Sequence, residues 1–162
     1  MNKFVLDTKT PDSSPWQTFL YSAMLILLLA LPKLAYCDIA IIVNANSPVS
    51  ALTKDQVKNI FLGRLTRFPN TNMAVSAMEI KQNNAQKEAF YMAIANKTVN
   101  KINRYWARYL FTGKMSPPKK LSSNQEIIDS ITNTPSGISY IESSDVPTTV
   151  KVVLTLPTEQ QQ

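Results

Sequence analysis

Met78–Gln86, reading MEIKQNNAQ, holds the groups in this chain best arranged to grip an anion. An apolar segment ends there, a polar loop follows, and helical spacing begins at Asn83 or Asn84. The first amide N–H groups of a helix have no intrahelical acceptor and sit at the positive end of its dipole, so they favour negative charge. Lys81 adds a cation, and the side-chain amides of Asn83 and Asn84 can donate. Asn44 and Ser47, at the end of an earlier apolar run, are expected nearby. Asparagines at this point also serve plain helix capping.

Other chemistries are poorly served. The 162 residues include no histidine, which removes the commonest general base and metal ligand. The one cysteine, Cys37, allows neither a zinc cluster nor a disulfide within one chain. A serine nucleophile would lack its usual base, and no two carboxylates are marked as an acid/base couple. The expectation is no enzyme, no catalytic residue, no metal and no cofactor. The net charge of +6 favours anionic partners in general. Lys101, Arg104 and Arg108 interleave with Tyr105, Trp106 and Tyr109, a mixture that nucleic-acid binding can use. However, the aromatics fall at apolar spacing, which turns them to the core and leaves the cations solvated. No nucleic-acid partner is expected. Arg64 and Arg67 flank a helix end, where cations are favourable without any ligand.

The elements positioning these groups are well punctuated. Ile39–Asn44 is a nearly unbroken apolar run, as in a strand covered on both faces. Thr53 and Gln56 form a capping box, Leu52 and Val57 a hydrophobic staple, and Gly63 stops that helix. Met73–Ile80 reads as a second strand. Asn83, with Gln86 three residues on, starts a helix with Ala89, Phe90, Ala93 and Ile94 as its stripe. Thr98 starts another, which Gly113 ends, and the paired prolines make Lys114–Lys120 a loop. Ser123 and Glu126 cap a further helix, buried through Ile127, Ile128 and Ile131. Gly137 then precedes ISYIE, and VKVVLTL follows, both short strands. The order β-α-β-α-α-α-β-β predicts an α/β fold, a layered mixed sheet of about four strands with helices on it. That domain is expected over 38–156, with 157–162 a frayed tail.

The first 37 residues read differently. Phe19–Leu31 is thirteen residues without a charge, suited to a secretory signal and short for a bilayer span. A cut before Asp38, an uncleaved anchor, and lipidation within LAYC are the three readings, and each exports the domain. A periplasmic location is expected, with membrane contact only through this segment if it is retained.

The stretch IAIIVNANSPVSALTKDQVKNIFLGRLTRFPN, followed by KEAFY, YWARYLFTGK, PPK and PSGISYIES, resembles phosphate ABC transporter substrate-binding proteins over roughly residues 39–155. The resemblance implies one lobe of a type II periplasmic-binding-protein fold, export, and solute binding without enzymatic activity. Full-length members hold phosphate between two lobes with backbone amides, hydroxyls and a charged side chain. Here there is room for one lobe, and KQNNAQ stands where a Ser-Gly-Thr-like loop is usual. The implied partners are phosphate or another small anion, and an ABC transporter or other envelope protein. An interaction scaffold without a small ligand and a membrane-tethered sensor are the alternatives.

Overall fold

A computed structural model of the chain describes residues 38–82, 84–110, 113 and 115–158. The expectations for residues 1–37, including Phe19–Leu31 and Cys37, lie outside the described residues, as does Asn83.

Five strands form one mixed sheet: β1 (Ile39–Asn44), β2 (Ser76–Ile80), β3 (Lys119–Leu121), β4 (Gly137–Glu142) and β5 (Val150–Leu156), in the order β3-β2-β4-β1-β5. β2 runs parallel to β3 and β4, whereas β1 is antiparallel to both β4 and β5. Four helices cover it: α1 (Lys54–Phe61), α2 (Ala85–Ala95), α3 (Val99–Leu110) and α4 (Asn124–Asn133). Every residue of β1 is buried, as its nearly unbroken apolar sequence leads one to expect.

The alternation of strand side chains divides the core in two. Ile39, Ile41 and Val43 join Ile138 and Tyr140 beneath α1, α2 and α3. Ala40, Ile42, Met78, Ile80 and Ile141 pack instead on Ile127 and Ile131 of α4. On the three-helix side, Phe61, Phe90 and Tyr140 form an aromatic centre. Phe90 stacks on Tyr140 at 3.8 Å between centroids, and Phe61 meets both edge-on. Each such pair contributes about 0.5–1.5 kcal/mol beyond area burial.

The punctuation of α1 forms as expected. The Thr53 hydroxyl accepts from the Gln56 N–H, and the Gln56 side chain accepts from the Thr53 N–H. Leu52 and Val57 are both buried. Gly63 has φ +69° after α1, and an added Cβ would lie 2.8 Å from Cη2 of Trp106. That site needs glycine for both its backbone angle and its space. Ser123 accepts from the Glu126 N–H, while the Glu126 carboxylate reaches one residue further back, to Ser122 N–H. The start of α3 gains a long-range cap, because the Glu88 carboxylate of α2 accepts from Val99 N–H at 2.8 Å.

Three expectations are corrected. The expected loop Lys114–Lys120 gives way at its end to a fifth strand, because Lys119–Leu121 pairs with Met78–Ile80. Two lysines after two prolines have no alternating pattern, and only the neighbouring strand makes them extended. β2 starts at Ser76 rather than Met73, since Phe68 N–H bonds Met73 O and Val75 N–H bonds Thr66 O in a preceding reversal. The cap of α2 is Asn84, whose side chain accepts from Lys87 N–H at 3.0 Å.

Candidate anion-binding site

β2 delivers the chain to the amino terminus of α2 at one end of the sheet. Lys81 is exposed, and its backbone N–H holds the strand end to Leu121 O at 2.7 Å. Asn84 is half-buried and uses its carbonyl oxygen in capping. The amides of Ala85 and Gln86 belong to the first turn, which a helix leaves without intrahelical acceptors. Charge, dipole and donors thus meet at this corner.

Asn44 and Ser47 are not part of it. Asn44 stands level with Gly137 in the antiparallel register, and Ser76 is also level with Gly137. From that level β2 climbs five residues to Lys81, about 17 Å along the strand direction. The two asparagine-bearing ends therefore lie at opposite ends of the sheet. Asn44 is also fully employed. Its Nδ2 donates to Ile131 O at 2.9 Å and Thr132 O at 2.7 Å, and its Oδ1 accepts from Asn46 N–H. It ties the last turn of α4 to the end of β1. Ser47 is buried, with its hydroxyl near Val49 N–H and its carbonyl accepting from Lys151 Nζ at 2.6 Å.

Beneath the corner lies a feature that the sequence reading missed. Lys87, in the first turn of α2, is buried with Glu79 of β2, their side chains 1% and 3% exposed. Lys87 Nζ donates to Glu79 Oε1 at 2.8 Å and to Ile80 O at 3.3 Å, while Tyr91 Oη donates to Glu79 Oε2 at 2.6 Å. Burial first, and then the negative charge of Glu79, push the Tyr91 hydroxyl well above its ordinary range. Tyr140 is pushed up for the same reasons, and its hydroxyl finds no hydrogen-bond partner among the described residues. Gln86 Nε2 donates to Tyr140 O at 3.2 Å, adding a second link from α2 to the sheet. The signal was present: Glu79 is in phase with the core-facing Ala77, and Lys87 with Tyr91 and Ile94. Because Glu79 neutralises Lys87, an anion at the corner would meet the charge of Lys81 and the helix dipole.

The arrangement contains no nucleophile–base pair, and no group of three or more metal-ligating side chains occurs among the described residues.

Residues 32–160 match the family described as PBP superfamily domain. No curated protein sequence matches the chain. Among solved structures, the fold is similar to a protein from Clostridium perfringens assigned as a phosphate ABC transporter substrate-binding protein and solved with bound phosphate. That similarity has a TM-score of 0.59 at 21% identity and covers 74% of this chain and 45% of that one. It is similar to an ABC-type phosphate transport receptor from Vibrio cholerae, with a TM-score of 0.59 at 16% identity, over 74% of this chain and 46% of the other. PstS from Borrelia burgdorferi gives a TM-score of 0.53 at 15% identity, over 74% and 47%. The chain thus spans about half the length of the solved structures it matches. With the family match over most of its length, and a five-stranded α/β fold like one lobe of a phosphate-binding protein, this chain belongs to the PBP superfamily domain family.

Proposed function

We propose that this is an exported, non-enzymatic solute-binding domain that takes phosphate or another small anion at the β2–α2 corner. Lys81, Asn84 and Asn83 are the contacts. The observation that carries the reading is the placement of α2: its capped amino terminus opens at the carboxyl end of β2 with the exposed Lys81 beside it. Ligands of open α/β sheets favour that position. Family membership supports solute binding, and the phosphate named for the solved structures supports this class of anion. The setting is periplasmic, with the domain over 38–156, the first 37 residues as signal or anchor, and an ABC transporter or other envelope protein as partner. Calorimetric titration of the chain with phosphate tests the site. Heat of binding that disappears in Lys81→Ala is expected, and no heat at millimolar phosphate would rule phosphate out.

A second reading, an envelope interaction scaffold without a small ligand, draws on two observations. The Asn84 side chain is committed to its cap, and residues 81–86 contain no Ser, Thr or Gly. A stable protein partner recovered from envelope extracts independently of phosphate would favour it.

A further inference from the structure

α3 and α4, on opposite faces of the sheet, carry opposite charge. α3 carries Lys101, Arg104 and Arg108, all exposed, and no acidic residue. Spacings of three and four place them on one side of the helix, about 10 Å from first to last. The rest of that face is Asn100, Asn103 and Ala107, also exposed. The corner after α1 extends the patch. The Tyr105 hydroxyl donates to Leu62 O at 2.8 Å, and Trp106 closes on Gly63, so exposed Arg64 follows directly on the contact between the two helices. None of these four cations forms an ion pair with a described residue. On the opposite face, α4 and the turn Ser143–Asp145 carry exposed Glu126, Asp129 and Asp145 and no cation.

The aromatics of α3 are turned the other way. Trp106 is buried, and Tyr105 and Tyr109 are half-buried, packed on one another with centroids 4.6 Å apart. The patch therefore offers no stacking platform for bases. The exposed residues of α3 also include no aromatic or methionine anchor of the kind around which protein interfaces concentrate. Among its described residues the one large exposed apolar side chain is Leu110, 59% exposed at the carboxyl end of α3. A single-sign surface suits an anionic bilayer, where cations act together through the surface potential.

We propose that α3 and the Arg64 corner form a docking surface for anionic phospholipid headgroups, which would orient the acidic α4 face away from the membrane. This contact is separate from any made by the first 37 residues and does not depend on anion binding at Lys81.

The test is sedimentation of the full chain with vesicles of phosphatidylcholine alone or mixed with phosphatidylglycerol. Comparing the two compositions cancels any composition-independent contribution from Phe19–Leu31. Binding at least ~10-fold stronger to the anionic vesicles, weakening as salt rises, is expected. Arg104→Glu/Arg108→Glu should abolish that difference, while the charge-matched control Lys54→Glu/Lys120→Glu should keep most of it. Circular dichroism melts check that both variants fold. Because the four residues are exposed, Arg104→Gln/Arg108→Gln serves as a milder second pair, expected to lose part of the preference. Equal binding to both vesicle types overturns the proposal, as does equal loss in the control pair. Displacement by inorganic phosphate at constant ionic strength would move the contact to the Lys81 corner. Duplex DNA binding as tightly as the anionic vesicles would reassign the patch to nucleic acid.

Discussion

Replacing Lys87 with methionine removes one half of the buried pair that fastens α2 to β2. It leaves the Glu79 carboxylate at 3% exposure with the Tyr91 hydroxyl as its remaining side-chain donor. Leaving one partner of a buried ion pair uncompensated costs about 3–5 kcal/mol. Lys87→Met should therefore lose about 3–5 kcal/mol, lowering the melting temperature by about 10–15 °C. Glu79→Gln strands the ammonium instead and should lose a similar amount. Glu79→Gln/Lys87→Met keeps an acceptor for Tyr91 and strands no charge. It should lie within about 1–2 kcal/mol of the native chain, because replacing a whole buried pair is often nearly neutral. Urea unfolding followed by circular dichroism, run as a double-mutant cycle, measures all of this. A Lys87→Met penalty below about 1 kcal/mol, or a double variant no more stable than either single variant, would show that this pair is neither dry nor coupled as the geometry requires.

The hydroxyl of Tyr140 is buried without a partner among the described residues, so Tyr140→Phe should be neutral or stabilising by up to about 1 kcal/mol in urea melts. A clear loss would mean that the hydroxyl is bonded. Tyr91 and Tyr140 both resist ionisation in the folded chain, whereas an unfolded tyrosine ionises near pH 10. Their contribution is intact below about pH 10 and declines as pH rises above it, because the unfolded state then releases protons that the folded state retains. Tyr91→Phe/Tyr140→Phe should flatten the alkaline fall of the urea midpoint. Gly63→Ala combines a left-handed backbone with a Cβ 2.8 Å from Trp106, and should cost about 2 kcal/mol or more and alter tryptophan fluorescence.

The sequence by itself determined whatever depends on residues a few places apart. The Thr53–Gln56 box, the Ser123 cap, the left-handed Gly63 and the buried run Ile39–Asn44 could be read directly, because their partners lie within one helical turn or one strand. The inward aromatics and outward cations of α3 followed from spacing alone. The β2–α2 corner was legible as a place for the same reason, since strand end, loop and helix start are consecutive. Only the tertiary structure decided which groups share that place. Asn44 looked like a neighbour of Lys81. Its partners are carbonyls 87 and 88 residues away, at the other end of the sheet, because strand order and direction are fixed by pairing rather than by local pattern. Lys119–Leu121 became a strand only through β2. Glu79 and Lys87 are buried together because helix packing brings them within 2.8 Å, where each can replace the water that the other loses.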